Sequence, residues 1–83
     1  MTDRPNAAEL VAMAGRALYG VDWQAPMARA LVVQLRTVQR VAEAARAGRD
    51  YPAARAWLTD LAELIDLRSR ELAALRAMLL QAD

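Results

Sequence analysis

Between Gln34 and Glu43 the chain sets Arg36, Gln39, Arg40 and Glu43 at spacings that share one side of a helix, with Gln34 at its start. These side chains do hydrogen-bonding chemistry rather than bond-making chemistry. A guanidinium presents a planar fork of donors that meets guanine at two points, and a glutamine amide pairs with adenine similarly. Arg29, Arg46 and Arg49 flank the run and suit contact with phosphates, which positions a protein without reading sequence. An ordinary solvated helix face accounts for the same residues, with Glu43 pairing to Arg40 or Arg46 at helical spacing.

Bond-making chemistry has little to work with. The chain has no cysteine and no histidine. Thiolate nucleophiles and disulfides are therefore excluded, as are the commonest general base and the commonest metal ligand. The only serine, Ser69, lies in a charged helical run with no base to activate it. We expect no catalytic residues, no metal site and no cofactor.

Charge is informative in its distribution rather than its sum. The net charge is only +1. From Arg29 to Arg55 six arginines face Glu43 and Asp50, whereas the segment after Arg55 is net acidic. All eleven basic residues are arginine, which alongside the alanine excess reflects coding bias rather than phosphate recognition. The N-terminus carries Asp3, Arg4 and Glu9 before any apolar run develops, so it does not read as a signal peptide. No later segment approaches the roughly 18 apolar residues of a membrane span. A cytoplasmic protein without membrane contact is the expectation.

The elements that must carry these residues are helices. Alanine, leucine and arginine dominate, and nothing alternates with period two, so a single all-α domain is expected over residues 1–83. A first helix runs from about Ala7 to Leu18, with Asn6 as N-cap, Glu9 completing a capping box and Gly20 ending it. Its apolar stripe reads as Leu10, Met13, Ala14 and Ala17. A second begins after Asp22, a natural N-cap, with Pro26 in the first turn and Trp23, Met27 and Leu31 on one side. A third starts near Gln34 or Leu35 and continues to about Ala47, with Gly48 as the stop. Trp23 and Trp57 read as core, and Met13, Met27 and Met78 as gap fillers.

From Pro52 to about Leu80 the chain reads as one helix of about 43 Å. Leu58, Leu61, Ile65, Arg68, Leu72, Leu75 and Leu79 keep a three-four spacing along it, the pattern of a coiled-coil seam. A chain this short buries little apolar surface, so self-association is a natural source of stability. The six apolar seam residues are candidates for a homodimer contact. Packing within the same domain is the alternative.

The stretch Trp23 to Glu43 resembles the helix-turn-helix of small phage and bacterial transcriptional regulators. Gln24 and Ala28 match the opening glutamine and the small residue where the two helices touch, and Leu31, Val33, Val38 and Val41 match apolar positions. Thr37-Val38 with Arg40 looks like a run common in that family. The segments YGVDWQAPMARAL and LTDLAELIDLRSRELAAL extend the likeness over most of the chain from Leu18. The resemblance implies sequence-specific binding to double-stranded DNA by a homodimer, with Gln34, Arg36, Gln39, Arg40 and Glu43 toward the bases. Val32 departs from it where the family has a turn glycine, Gln34 where it has a serine or threonine cap, and Leu35 by being apolar.

Those departures share another reading. As one continuous helix, Ala28, Leu31, Leu35, Val38, Ala42 and Ala45 form an unbroken seam, and the protein becomes a long helical hairpin. That form suits binding to a protein partner or assembly without DNA recognition. Leu35 separates the two: exposed in the first, buried in the second.

Overall fold

The computed structural model describes residues 4–82 and is all-α, in the order α1 (Ala7–Tyr19), α2 (Gln24–Leu31), α3 (Leu35–Arg46), a 3-10 helix (Pro52–Trp57) and α4 (Leu58–Gln81). No described segment is a strand. Helix α1 is the hub, touching α2, α3, the 3-10 helix and α4.

Helix α1 starts where the capping box requires. The Glu9 backbone N–H donates to Asn6 Oδ1 at 2.8 Å, and the Asn6 N–H donates to Glu9 Oε1 at 2.9 Å. Two donors left over at the helix start are thereby satisfied. The buried stripe is Ala7, Ala8, Val11, Ala12, Gly15 and Leu18, not the one centred on Leu10 and Met13, which are exposed with Ala17. The smaller side won because α1 is packed closely on several sides, and small residues let neighbouring backbones approach. Gly15 shows how closely: a Cβ there would stand 2.3 Å from Cε3 of Trp23.

Helix α2 begins without a side-chain cap. Trp23, in right-handed helical conformation, takes the N-cap position expected of Asp22, and its carbonyl accepts from Met27 N–H at 3.0 Å. Burial of the indole explains the shift, because Trp23 is committed to the core with Met27 and Ala28. Val38 and Val41 of α3 meet them there, and Met27, Val11, Val38 and Val41 are the largest fully enclosed side chains. Each such side chain contributes about 1.5–3 kcal/mol on burial. Of the methionines read as gap fillers, only Met27 is one; Met13 and Met78 face solvent.

Asp50 ties the end of the first three helices back to their beginning. Its Oδ1 accepts from Tyr51 N–H at 2.8 Å and from Ala7 N–H at 3.1 Å, placing a carboxylate on the N-terminal turn of α1. Pro52–Trp57 then forms a 3-10 helix rather than the first turns of one long α-helix. Three residues per turn stack Tyr51, Ala54 and Trp57 on one side, and all three pack in the core cluster. Trp57 is only half-buried there.

Helix α4 has 24 residues, about 36 Å. Its first turns belong to the domain: Leu61 is buried, and Leu58 and Leu64 are packed against the same cluster. Leu58 and Leu61, read from the sequence as part of an intermolecular seam, are thus taken up by the chain's own core. Arg68 marks the end of that contact, its Nη1 donating to the Leu18 carbonyl at 3.2 Å. A cation placed there also suits the negative end of α1. From Ser69 onward every described residue is exposed.

Candidate nucleic-acid interface

The decisive local geometry lies at Val32. It stands at φ 56°, ψ 49°, the left-handed region that favours glycine, and it is the one non-glycine residue with positive φ among those described. Its N–H donates to the Arg29 carbonyl at 3.3 Å, and the Val33 N–H donates to the Ala28 carbonyl at 3.0 Å. That pair of bonds closes a helix with a Schellman turn. Gly48 closes α3 by the same bonding, Gly48 N–H to Ala45 carbonyl and Arg49 N–H to Ala44 carbonyl. One turn is made by glycine, the other by a β-branched residue under strain.

The turn overturns the continuous-helix reading. Helix α2 ends at Leu31 and α3 begins at Leu35, so Ala28 and Leu35 do not share one uninterrupted seam. Leu35 is 41% exposed and Val32 89% exposed. The physical reason is in the core. Ala28, Val38, Val41 and Ala42 are all buried, and bending the chain between them lets α3 return across α2.

Burial on one side of α3 defines the other side. Val38, Val41, Ala42 and Ala44 point inward, and Gln34, Arg36, Gln39, Arg40 and Glu43 are all exposed. Gln34 is the N-cap in extended conformation, and its amide makes no capping bond. The side chain therefore stays available at the start of α3. Leu35 and Gln39 border a shallow depression with Val21, Asp22, Gln24 and Ala25 of the preceding loop and α2.

The flanking arginines divide between three places. Arg29 lies beside Val32, Val33, Gln34 and Leu35 at the turn. Arg49 joins Arg40 and Glu43 in a depression at the far end of α3, closed by Asp50 and Tyr51. Arg46 is turned toward α1, where it borders a depression with Arg4 and Arg16 around Glu9. The grouping of Arg4 and Arg16 with Arg46 was not legible in the sequence, because residues about thirty or more positions apart meet only once α1 packs on α3.

None of these arginines is neutralised within the domain. The two ion pairs among the described residues, Arg68–Glu71 and Arg70–Asp66, both lie on α4. Glu43 pairs with neither Arg40 nor Arg46, and the face as a whole is open to solvent. Among the described residues no group is arranged to hold a metal ion, and no polar or charged side chain is buried. No described helix is long and apolar enough to cross a membrane. The arrangement can offer forked and amide hydrogen-bond donors, with unpaired positive charge around them.

No family model matches the chain, and no curated protein or solved structure matches it significantly.

Proposed function

We propose that the chain is a sequence-reading DNA-binding protein acting in transcriptional control, with α2, the Val32 turn and α3 as its helix-turn-helix. The observation that carries this reading is the left-handed Val32 at the position where such a turn needs glycine. It separates two short helices packed through Ala28, Val38 and Val41, and frees the opposite side of α3. That side enters the major groove. Arg36, Gln39 and Arg40 contact base edges, Gln34 and Glu43 bound the contact, and Leu35 suits a thymine methyl. Arg29, Arg46 and Arg49 hold phosphates on either side.

The test is binding to a labelled duplex covering the sequence upstream of the protein's own reading frame, against a scrambled duplex, at about 50 and 200 mM salt. A preference for the native duplex that survives the higher salt supports the reading. Equal binding that collapses with salt, or no binding, rejects it.

A second reading draws on Val32 and Leu35 together. Both are exposed apolar residues bordering one depression with Ala25 and Val33, a surface suited to the apolar side of a protein partner. It becomes the better reading if neither duplex is bound.

A further inference from the structure

We propose that the end of α4 forms a parallel two-stranded coiled coil with the same segment of a second copy of this chain. This pairing depends on α4 alone and holds whether or not α3 reads DNA. Beyond Arg68, which is engaged with the Leu18 carbonyl of its own domain, α4 continues for 13 residues to Gln81, all exposed. That is about 20 Å of helix exposed along its whole length. Most helical stability in a protein comes from packing an apolar side, and this extension leaves Leu72, Leu75 and Leu79 unpacked on one side. They are exposed by 56%, 48% and 66%.

The three leucines alternate by three and four, so Leu72 and Leu79 take the first core position of a heptad and Leu75 the second. Two charged residues border this row. Glu71 directly precedes Leu72, and Arg76 directly follows Leu75. In a parallel pair, a residue preceding a first core position faces the partner residue five places further along. Glu71 then meets Arg76 of the partner subunit, and the two-fold axis forms the pair twice.

The antiparallel arrangement does not use these charges. There the flanking residues meet their own kind of position, which sets Glu71 near Met78 of the partner subunit and Arg76 near Ser69 of the partner subunit. Charge complementarity therefore selects the parallel form. Arg76 has no ion pair among the described residues, and Glu71 has only a long contact to Arg68, 3.6 Å between two solvated side chains. Both are free to pair across an interface. Parallel pairing also places the two helical domains at the same end of the coil, so that both copies of α3 serve one two-fold object.

The test is sedimentation equilibrium of the full chain without DNA, over roughly 1–200 µM, since dimer stability follows protein concentration. Wild type is expected to pass from monomer to dimer. E71R and R76E each set like charges against each other twice and should weaken the dimer about tenfold. An equimolar mixture of the two variants restores both attractive pairs and should recover a heterodimer at least as tight as wild type. Circular dichroism of each variant checks that its helix content is unchanged, as expected for exposed sites. A wild type that stays monomeric overturns pairing with a second copy. A wild-type dimer whose variants are unaffected, or whose mixture fails to recover, overturns the parallel register.

Discussion

The indole of Trp23 lies directly on the bare α-carbon of Gly15. A methyl group added at Gly15 would fall 2.3 Å from Cε3 and 2.5 Å from Cδ2 of that ring. Gly15 is in the middle of α1, where alanine is ordinarily the better residue by about 1 kcal/mol. Here the sign reverses. Overpacking a tight contact costs about 1–3 kcal/mol, and Trp23, almost fully buried, has little room to yield. Gly15→Ala is expected to lower stability by about 1–2 kcal/mol in urea unfolding, and a stabilised variant would disprove the contact.

Val32 runs the opposite experiment. A β-branched residue in left-handed conformation carries about 1–2 kcal/mol of strain, and this one, 89% exposed, has little packing to offset it. Val32→Gly should therefore raise stability by about 1 kcal/mol, or about 4–8 °C in Tm. Val32→Pro, whose ring holds φ near −65°, cannot make the turn and should abolish cooperative unfolding. Thermal melts of the two variants bracket the wild type if the turn is as described.

Leu35 and Val38 are three residues apart and differ in surroundings, one partly open to solvent and the other fully enclosed. Leu35→Arg should change stability by about 0.5 kcal/mol or less. Val38→Ala should cost about 1.5–3 kcal/mol through lost burial and the cavity left behind. Comparable losses at both sites in chemical denaturation would mean that α3 is rotated from its described orientation.

Arg40 and Arg29 separate base reading from charge. Arg40→Ala is expected to weaken binding to the specific duplex by about 1–3 kcal/mol while leaving the scrambled duplex less affected. Arg29→Ala should weaken both duplexes alike and flatten the salt dependence by about one unit of slope. If both variants bind as wild type does, α3 is not the recognition element.

Asp50 accepts from the N–H of Ala7 and of Tyr51. Asp50→Ala leaves the first turn of α1 short of an acceptor and removes a favourable charge at the helix start. A loss of about 1–2 kcal/mol is expected. Hydrogen exchange should report it at Ala7 and Tyr51 before the centre of α1. Uniform loss of protection across the chain would argue against a local tie.

Local chemistry accounts for most of what was legible in the chain. Asn6 and Glu9 cap α1, Gly48 ends α3, and Trp23, Met27, Val38 and Val41 form the core, as their types and spacings indicate. The outward set from Arg36 to Glu43 follows from the same periodicity, because burying Val38 and Val41 leaves the opposite side of a helix no choice, whereas Gln34 is exposed by its place as the extended N-cap. The buried stripe of α1 departs from the apolar pattern for a related reason. Leu10 and Met13 are larger than Ala7, Ala8 and Val11, but a crowded interior selects by fit as well as by apolarity.

What tertiary structure alone decided are the places where two local answers were nearly equal. From Ala28 to Ala45 the residues suit either a continuous helix or two helices with a turn, since alanine and leucine favour both. The enclosure of Val38 and Val41 against Met27 and Val11 favours the turn enough to hold Val32 in a strained conformation. The long C-terminal seam divided in the same way. Its spacing is uniform from Leu58 to Leu79, yet Leu61 is buried at home and Leu72 is not. Sequence sets which side of a helix is apolar; the reach of the neighbouring helices sets how much of that side the chain covers itself.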